Sequence, residues 1–184
     1  MNPMTINIPE RLETDRLVLR LPTLADAEIV AAGVQASIEE LHEWMPWAKK
    51  DYGVDDATTW IHQTLAEWHQ RKGVPYLILL DGVHVGNVGL FDVEWDVPRG
   101  EIGYWMRTDH VGKGYMTEAC NVVTDLAMET FGFHRIIVTS SDNNVRSWAV
   151  AERCGYTFEG VLRNYRRHTD GTLDHARMYA KTSA

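Results

Sequence analysis

The sequence predicts an α/β or α+β domain built on one mixed sheet. Three patterns carry this. Apolar and basic residues alternate over Arg16-Leu-Val-Leu-Arg-Leu21, as in a strand with one wet face, and Arg135 to Ser140 forms a second, β-branched strand. Ala57, Trp60, Ile61, Thr64, Leu65 and Trp68 recur at the spacing of one helical face. Asp81-Gly82 and Asp170-Gly171 each stand between two apolar runs, the signature of hairpin turns.

The elements follow in order. After the first strand, Thr23 can cap a helix over Leu24 to Gln35. A Trp-rich stretch comes next, Leu41-His-Glu-Trp-Met-Pro-Trp47, where Pro46 argues against a regular helix. Asp55 can cap the helix that carries the Ala57 to Trp68 face, which ends near Gly73-Val-Pro75. Tyr76 to Leu80, Val83 to Phe91 and Glu101 to Met106 read as strands. Thr117 to Phe131 reads as a helix with Gly132 as its left-handed stop, and Val145 to Cys154 as a shorter one stopped by Gly155. Thr157 to Tyr165 and Leu173 to Ala180 are the closing strands.

At 184 residues the chain has the length of one domain, 1–184, and is large enough to be stable without a metal or disulfide staple. Its net charge of -8 repels phosphate backbones and anionic lipids, so direct nucleic-acid binding is disfavoured. The local exception is the basic group Arg163, Arg166 and Arg167, a solvated face or a contact for an acidic acceptor or a phosphate. Cys120 and Cys154 are too few for a disulfide framework or a structural zinc site and read as reduced thiols of a cytoplasmic protein. No stretch has the length of a signal peptide's apolar region or of a membrane span. His62 and His69 are seven apart, and His168 and His175 flank a turn, so no metal is expected.

The chemistry concentrates in Tyr104-Trp-Met-Arg-Thr-Asp-His-Val-Gly-Lys-Gly-Tyr-Met-Thr-Glu-Ala119. A strand ends, a Gly-Lys-Gly turn follows and a helix begins. Glycines let the backbone curl with its N–H groups inward, and a helix N-terminus adds free N–H groups and partial positive charge. That combination suits a pyrophosphate, with Lys113 as an added cation. Neither the Walker pattern nor the dinucleotide fingerprint fits, because Tyr115 follows Gly114 and Thr117 takes the third glycine place.

This segment resembles the acyl-CoA pyrophosphate loop of the GNAT superfamily of N-acetyltransferases, and in particular the branch with the bacterial ribosomal-protein N-terminal acetyltransferases. Leu12 to Arg20 is similar to that branch's first strand, Leu41 to Trp47 to its Trp-Pro-Trp region, and Glu101-Ile-Gly-Tyr-Trp105 to its fourth strand. Asn144 to Ser147 with Glu152 to Arg163 is similar to its last helix and sixth strand. The resemblance implies a mostly antiparallel central sheet flanked by helices, acetyl-CoA as co-substrate, and a primary amine as acceptor, either a protein N-terminus or a small molecule. A homodimer is compatible with it.

Residue by residue, the resemblance puts the pyrophosphate on Val111, Gly112, Lys113, Gly114, Tyr115, Met116 and Thr117, and the pantetheine arm along Tyr104, Trp105 and Met106. It points to Ser147 for the leaving thiolate and to Asn144 for a pantetheine amide, where Asn144 also reads as a helix N-cap. Glu101 is the first choice for the base, with water as the alternative, and the backbone N–H groups of Ile102 to Trp105 for the oxyanion. Trp44 and Trp47 either wall the acceptor pocket or belong to the core. Four places depart from the family pattern: Val111 for Gln or Arg, Met116 for Gly or Ala, which should narrow the turn, Ala151 for a Tyr acid, and Arg166 for a Glu. A non-catalytic acyl-CoA-binding module of the same fold is the alternative to an acyltransferase.

Overall fold

The computed structural model describes residues 3–168 and 170–183. Eight strands form one open sheet: β1 (Arg11–Glu13), β2 (Val18–Arg20), β3 (Val74–Leu80), β4 (Val83–Glu94), β5 (Arg99–Met106), β6 (Arg135–Ser141), β7 (Thr157–Arg167) and β8 (Leu173–Thr182). They lie in the order β1-β2-β3-β4-β5-β6-β8-β7. Every neighbouring pair is antiparallel except β5–β6, which is parallel. Parallel neighbours need a crossover, and here it is the Gly-Lys-Gly loop followed by α4 (Tyr115–Asp125).

Local chemistry sets the turns. Asp81 and Gly82 both take positive φ, 49° and 79°, as a tight hairpin with right-handed strand twist requires. Gly132 and Gly155 stop their helices at φ 70° and 76°.

Side-chain alternation along the strands divides the core in two. Leu77 and Trp105 point to one face, where α1 (Ala27–Gln35), α2 (Ile38–Trp44) and α3 (Val54–His69) cover them with Val30, Val34, Leu41 and Ile61. Tyr76, Ile78, Ile102, Ile136 and Val138 point to the other, under α4 and α5 (Val145–Arg153), with Met116, Val123, Val150 and Tyr156.

Several boundaries differ from the sequence reading. A further strand, β1, pairs with β2, and the alternating run is extended only over Val18–Arg20. The helix after Thr23 begins as a 3-10 turn over Leu24–Asp26. Leu41 to Trp44 is helical, because α2 ends at Trp44 and Pro46 lies beyond its last turn, where it blocks only further extension. The long helix begins at Val54 with Gly53 as its cap, and the carboxylate that accepts from Gly53 N–H, at 2.9 Å, belongs to Asp56 rather than Asp55. After Asp125, α4 widens into a π turn over Leu126–Thr130.

One ion pair ties the first helix to the sheet. Arg20 of β2 grips Asp26 bidentately at 2.6 and 2.8 Å, and the same carboxylate accepts from the Thr23 amide and hydroxyl at 2.7 and 2.8 Å. These bonds hold the buried Asp26 carboxyl at about 2, well below the usual carboxylate range. A depressed folded pKa supplies stability above the ordinary carboxylate value that disappears as pH falls toward 2. Asp26→Asn should therefore cost about 2 kcal/mol at neutral pH. Urea melts at neutral and strongly acidic pH should show the gap between variant and wild type closing in acid.

Candidate functional site

The site is made where the parallel pair comes apart. β5 and β6 are paired only at Arg99–Arg135, Gly100–Ile136 and Glu101–Ile137. Beyond Glu101, β5 stays on β4 as far as Met106, and β6 stays on β8 as far as Ser141. The facing edges of residues 102–106 and 138–141 are left without a strand partner; on β6 the Thr139 carbonyl accepts from Arg166 and the Ser141 carbonyl from the Asn144 amide, so the edge of β5 is the one open to a ligand. A cleft of about 650 Å³ occupies this gap and reaches both faces of the sheet.

On the α1–α3 side, Glu101 forms the floor. The Thr139 hydroxyl donates to its carboxylate. Burial pushes the Glu101 carboxyl above its ordinary range, against the Thr139 bonds and the charge of Arg166, which both act to lower it. Arg166 lies on the same face, since the registers Arg166–Asp174 and Thr139–Met178 align these side chains across β6, β8 and β7. Its guanidinium donates to the Thr139 carbonyl at 3.4 Å. Trp44, Trp47, Trp60, Phe91 and Tyr165 supply aromatic walls. Trp47 is 43% exposed and stacks edge-on to Tyr52 at 5.9 Å. Both tryptophans singled out in the sequence thus line the cleft, and Trp60, read from periodicity as core, joins them.

On the α4–α5 side, hydroxyls cluster. Tyr104 Oη donates to the Ser147 carbonyl at 2.8 Å and lies 3.5 Å from Ser147 Oγ. Burial raises the Tyr104 phenol far above its usual pKa, which keeps it a neutral donor. Asn144 caps α5, its Oδ1 accepting from Ser147 N–H at 3.0 Å, and its NH₂ group is left for another partner. Ser140 is 4% exposed, lines the cleft, and its Oγ has no hydrogen-bond partner among the described residues. A buried hydroxyl without a partner is costly, so this one is suited to a ligand atom.

The loop between β5 and α4 turns on Gly112 and Gly114, at φ 76° and 82°. Gly114 is the left-handed N-cap of α4, and the amides of the first helical turn have no intrahelical acceptor. The loop is fastened from three sides. Arg16 donates to the Lys113 carbonyl at 3.1 Å, pairs with Glu118 at 2.6 Å and lies over the Tyr115 ring. The Thr108 amide donates to the buried Ser37 hydroxyl at 2.9 Å, and Lys113 Nζ donates to the Asp109 carbonyl. Val111 is exposed on the loop.

Some expectations need correction. Met116 does not narrow the turn: its side chain points into the core under α4. The Trp105 ring is buried against His84 and Trp47 on the α1–α3 side, so only its backbone faces the gap on the α4–α5 side. Arg163 and Arg167 are exposed, and only Arg166 of the basic group reaches the cleft. Ser140, Thr139, Tyr165, Arg16 and Glu118 escaped the sequence reading, because nothing in their local pattern separates them from ordinary strand and surface residues. Among the described residues no group of three or more His, Cys, Asp or Glu could hold a metal ion, and no helix is long and apolar enough to cross a membrane.

A parallel pair that parts beside a cleft, with a glycine turn and a helix N-terminus following the freed strand, is the framework of an acyltransferase. Residues 16–157 match the acetyltransferase (GNAT) domain, and the chain belongs to that family. It is similar to the ribosomal protein uS5-alanine N-acetyltransferase of Escherichia coli K12, 28% identical over 165 residues that cover 86% of this chain and 84% of the relative. Among solved structures it is similar to Mycobacterium smegmatis RimJ in complex with CoA-disulfide, with a TM-score of 0.84, 27% identity and coverage of 91% and 82%. The fold also matches the microcin C7 self immunity acetyltransferase MccE in complex with acetyl-CoA and AMP, with a TM-score of 0.89, 24% identity and coverage of 96% and 98%.

Glu101 gives a stability test that is independent of activity. Folding raises its pKa, so the ionised form is disfavoured in the fold, and stability falls as pH rises from the ordinary carboxylate value through the raised one. Glu101→Gln removes this dependence while keeping an acceptor for Thr139. Its melting temperature relative to wild type should climb as pH rises from the ordinary carboxylate value through the raised one and level off above it; a constant difference would show that Glu101 carries no folding-linked proton.

Proposed function

We propose that this chain is a single catalytic domain that transfers an acetyl group from acetyl-CoA to a primary amine, directly between two substrates held in one cleft. The carrying observation is the gap between β5 and β6, which sets the open edge of β5 between the Glu101 carboxylate and the Tyr104–Ser147 hydroxyls, with the Gly112–Gly114 turn following that edge in the chain. Acetyl-CoA supplies an activated thioester, and the residues present fit it. The loop and first-turn amides of residues 111–117 suit the pyrophosphate, and the free edge of Tyr104 to Met106 suits the pantetheine amides. Asn144, Ser147 and the unpartnered Ser140 suit the sulfur end. Relatives named as ribosomal-protein acetyltransferases support a protein N-terminus as acceptor. The cleft also suits a small amine. The two buried free thiols fit a reducing, cytoplasmic setting.

In this reading Glu101 accepts the proton of the attacking amine, from the face opposite Tyr104 and Ser147. Its raised pKa brings it toward the operating pH, which is what a general base needs. A C–N bond forms as the C–S bond breaks, the amine proton goes to Glu101 directly or through one water, and the Ser147 and Ser140 hydroxyls donate to the departing sulfur. The backbone N–H groups on the free edge of β5 polarise the carbonyl. Holding both reactants together supplies much of the rate, of order 7–11 kcal/mol.

Two variants test the halves of the site. Gly114→Pro cannot adopt φ 82° and loses an amide, so calorimetry should show no acetyl-CoA binding by a protein that still melts cooperatively. Unimpaired binding would remove the loop from the proposal. Glu101→Gln should lower kcat by about 10²–10⁴-fold with acetyl-CoA affinity nearly unchanged, and should abolish the acidic limb of the rate profile. An unaltered profile would assign the proton to water.

A further inference from the structure

We infer that the acceptor is a small α-amino carboxylate with a flat apolar side group, its carboxylate bound by Arg166 while its amine faces Glu101. This deepens the acetyltransferase reading and rests on it.

The inference begins with the backbone. The pairing of β7 with β8 is interrupted between Leu162 and Arg166, where Asn164 takes φ 52°, a left-handed conformation that costs a non-glycine residue energy. Bulges of this kind re-aim side chains next to functional sites. This one turns Tyr165 and Arg166 onto the cleft. The strained residue is held in place by its amide, which donates to His175 Nδ1 at 3.1 Å.

Arg166 then stands in aromatic surroundings without a counter-ion. Among the described residues it makes no ion pair within 4 Å, and its one hydrogen bond is the 3.4 Å contact with the Thr139 carbonyl. Asp174, opposite it in register, pairs with His168 instead. Glu101 feels the charge of Arg166, but its carboxylate takes the Thr139 hydroxyl. A guanidinium presents a planar fork of donors that matches a carboxylate bidentately. Arg166 and Glu101 share one face of the sheet and one cleft, so a ligand with a cation beside an anion meets its complement at both ends.

The walls set the rest. Trp44, Trp47, Trp60 and Tyr165 line the same cleft as Glu101 and Arg166 and favour a flat apolar group. The Trp44 ring lies 6.4 Å from that of His168, so the end of α2 packs close to the residue that follows β7. An internal peptide carbonyl would give Arg166 no charge to bind, whereas a free amino acid would.

The test measures thiol release by the full-length chain with acetyl-CoA and three matched sets: tryptophan, phenylalanine and methionine, each as the free amino acid, its amide, its decarboxylated amine and a tripeptide beginning with it. Free amino acids of the aromatic sets should exceed their amides and amines at least about tenfold in kcat/KM. In Arg166→Ala that ratio should fall to within about threefold, and Arg166→Lys should keep part of it. The ratio cancels any effect of Arg166 on the Glu101 proton, which both members of a pair share. Equal or better turnover of amides and amines, a ratio that survives in Arg166→Ala, or acetylation of the peptides alone would overturn the inference and leave the acetyltransferase standing. Acetyl-CoA binding without acetylation of any amine, polyamines included, would instead remove the transferase reading and this inference with it.

Discussion

The parting of β5 from β6 after three paired residues is the constraint on which the site depends. A sheet that stayed zipped would satisfy its own backbone groups and offer nothing to a ligand. Here each strand remains bonded to its outer neighbour, so the gap is held open by two intact ladders, β4–β5 and β6–β8. The free edge of β5 is therefore held in place and without a strand partner, which is the condition for binding an extended chain without first ordering the protein.

Because strand side chains alternate, the gap has two chemically different sides. Even-numbered residues of β5 and β6, Tyr104 and Ser140 among them, meet α5 and its Ser147, and the result is a cluster of neutral hydroxyls. Odd-numbered ones, Glu101 and Thr139, face the aromatic residues of the α1–α3 side, where Arg166 joins them. The buried carboxylate and the hydroxyl cluster thus lie on opposite faces of one sheet. Burial shifts the Glu101 carboxyl and the Tyr104 phenol both upward, which keeps the phenol a neutral donor.

The anion loop is supported at a distance. Arg16, at the start of the chain, binds both the loop carbonyl of Lys113 and the Glu118 carboxylate of α4, so the entry of α4 is fixed by a residue about one hundred positions away. Ser37 does the same from the junction of α1 and α2. Such contacts hold the loop in place while its two glycines keep their left-handed turns.

The sequence alone determined whatever depends on neighbours in the chain. Strand alternation, the helical face of α3, the Asp81-Gly82 hairpin and the strand, Gly-Lys-Gly and helix order of the loop are local signals, and each stands in the structure within a few residues. Family resemblance over nearly the whole chain pointed to Glu101, Asn144 and Ser147, the apolar stretch around Pro46 pointed to Trp44 and Trp47, and all five line the cleft. Tertiary structure decided what depends on pairing at long range. Met116 is core because α4 presents that face to the sheet, and the Trp105 ring turns away from the α4–α5 side because of its parity on β5. Ser140 is an orphan only because β5 leaves β6 beside it. Arg166 is a cleft residue because the bulge between Leu162 and Arg166 resets the register of β7 on β8, while Arg163 lies within the bulge and Arg167, next in the strand, takes the opposite side, and both are exposed. No local pattern encodes the separation of two strands, since it is a property of which partners each one keeps.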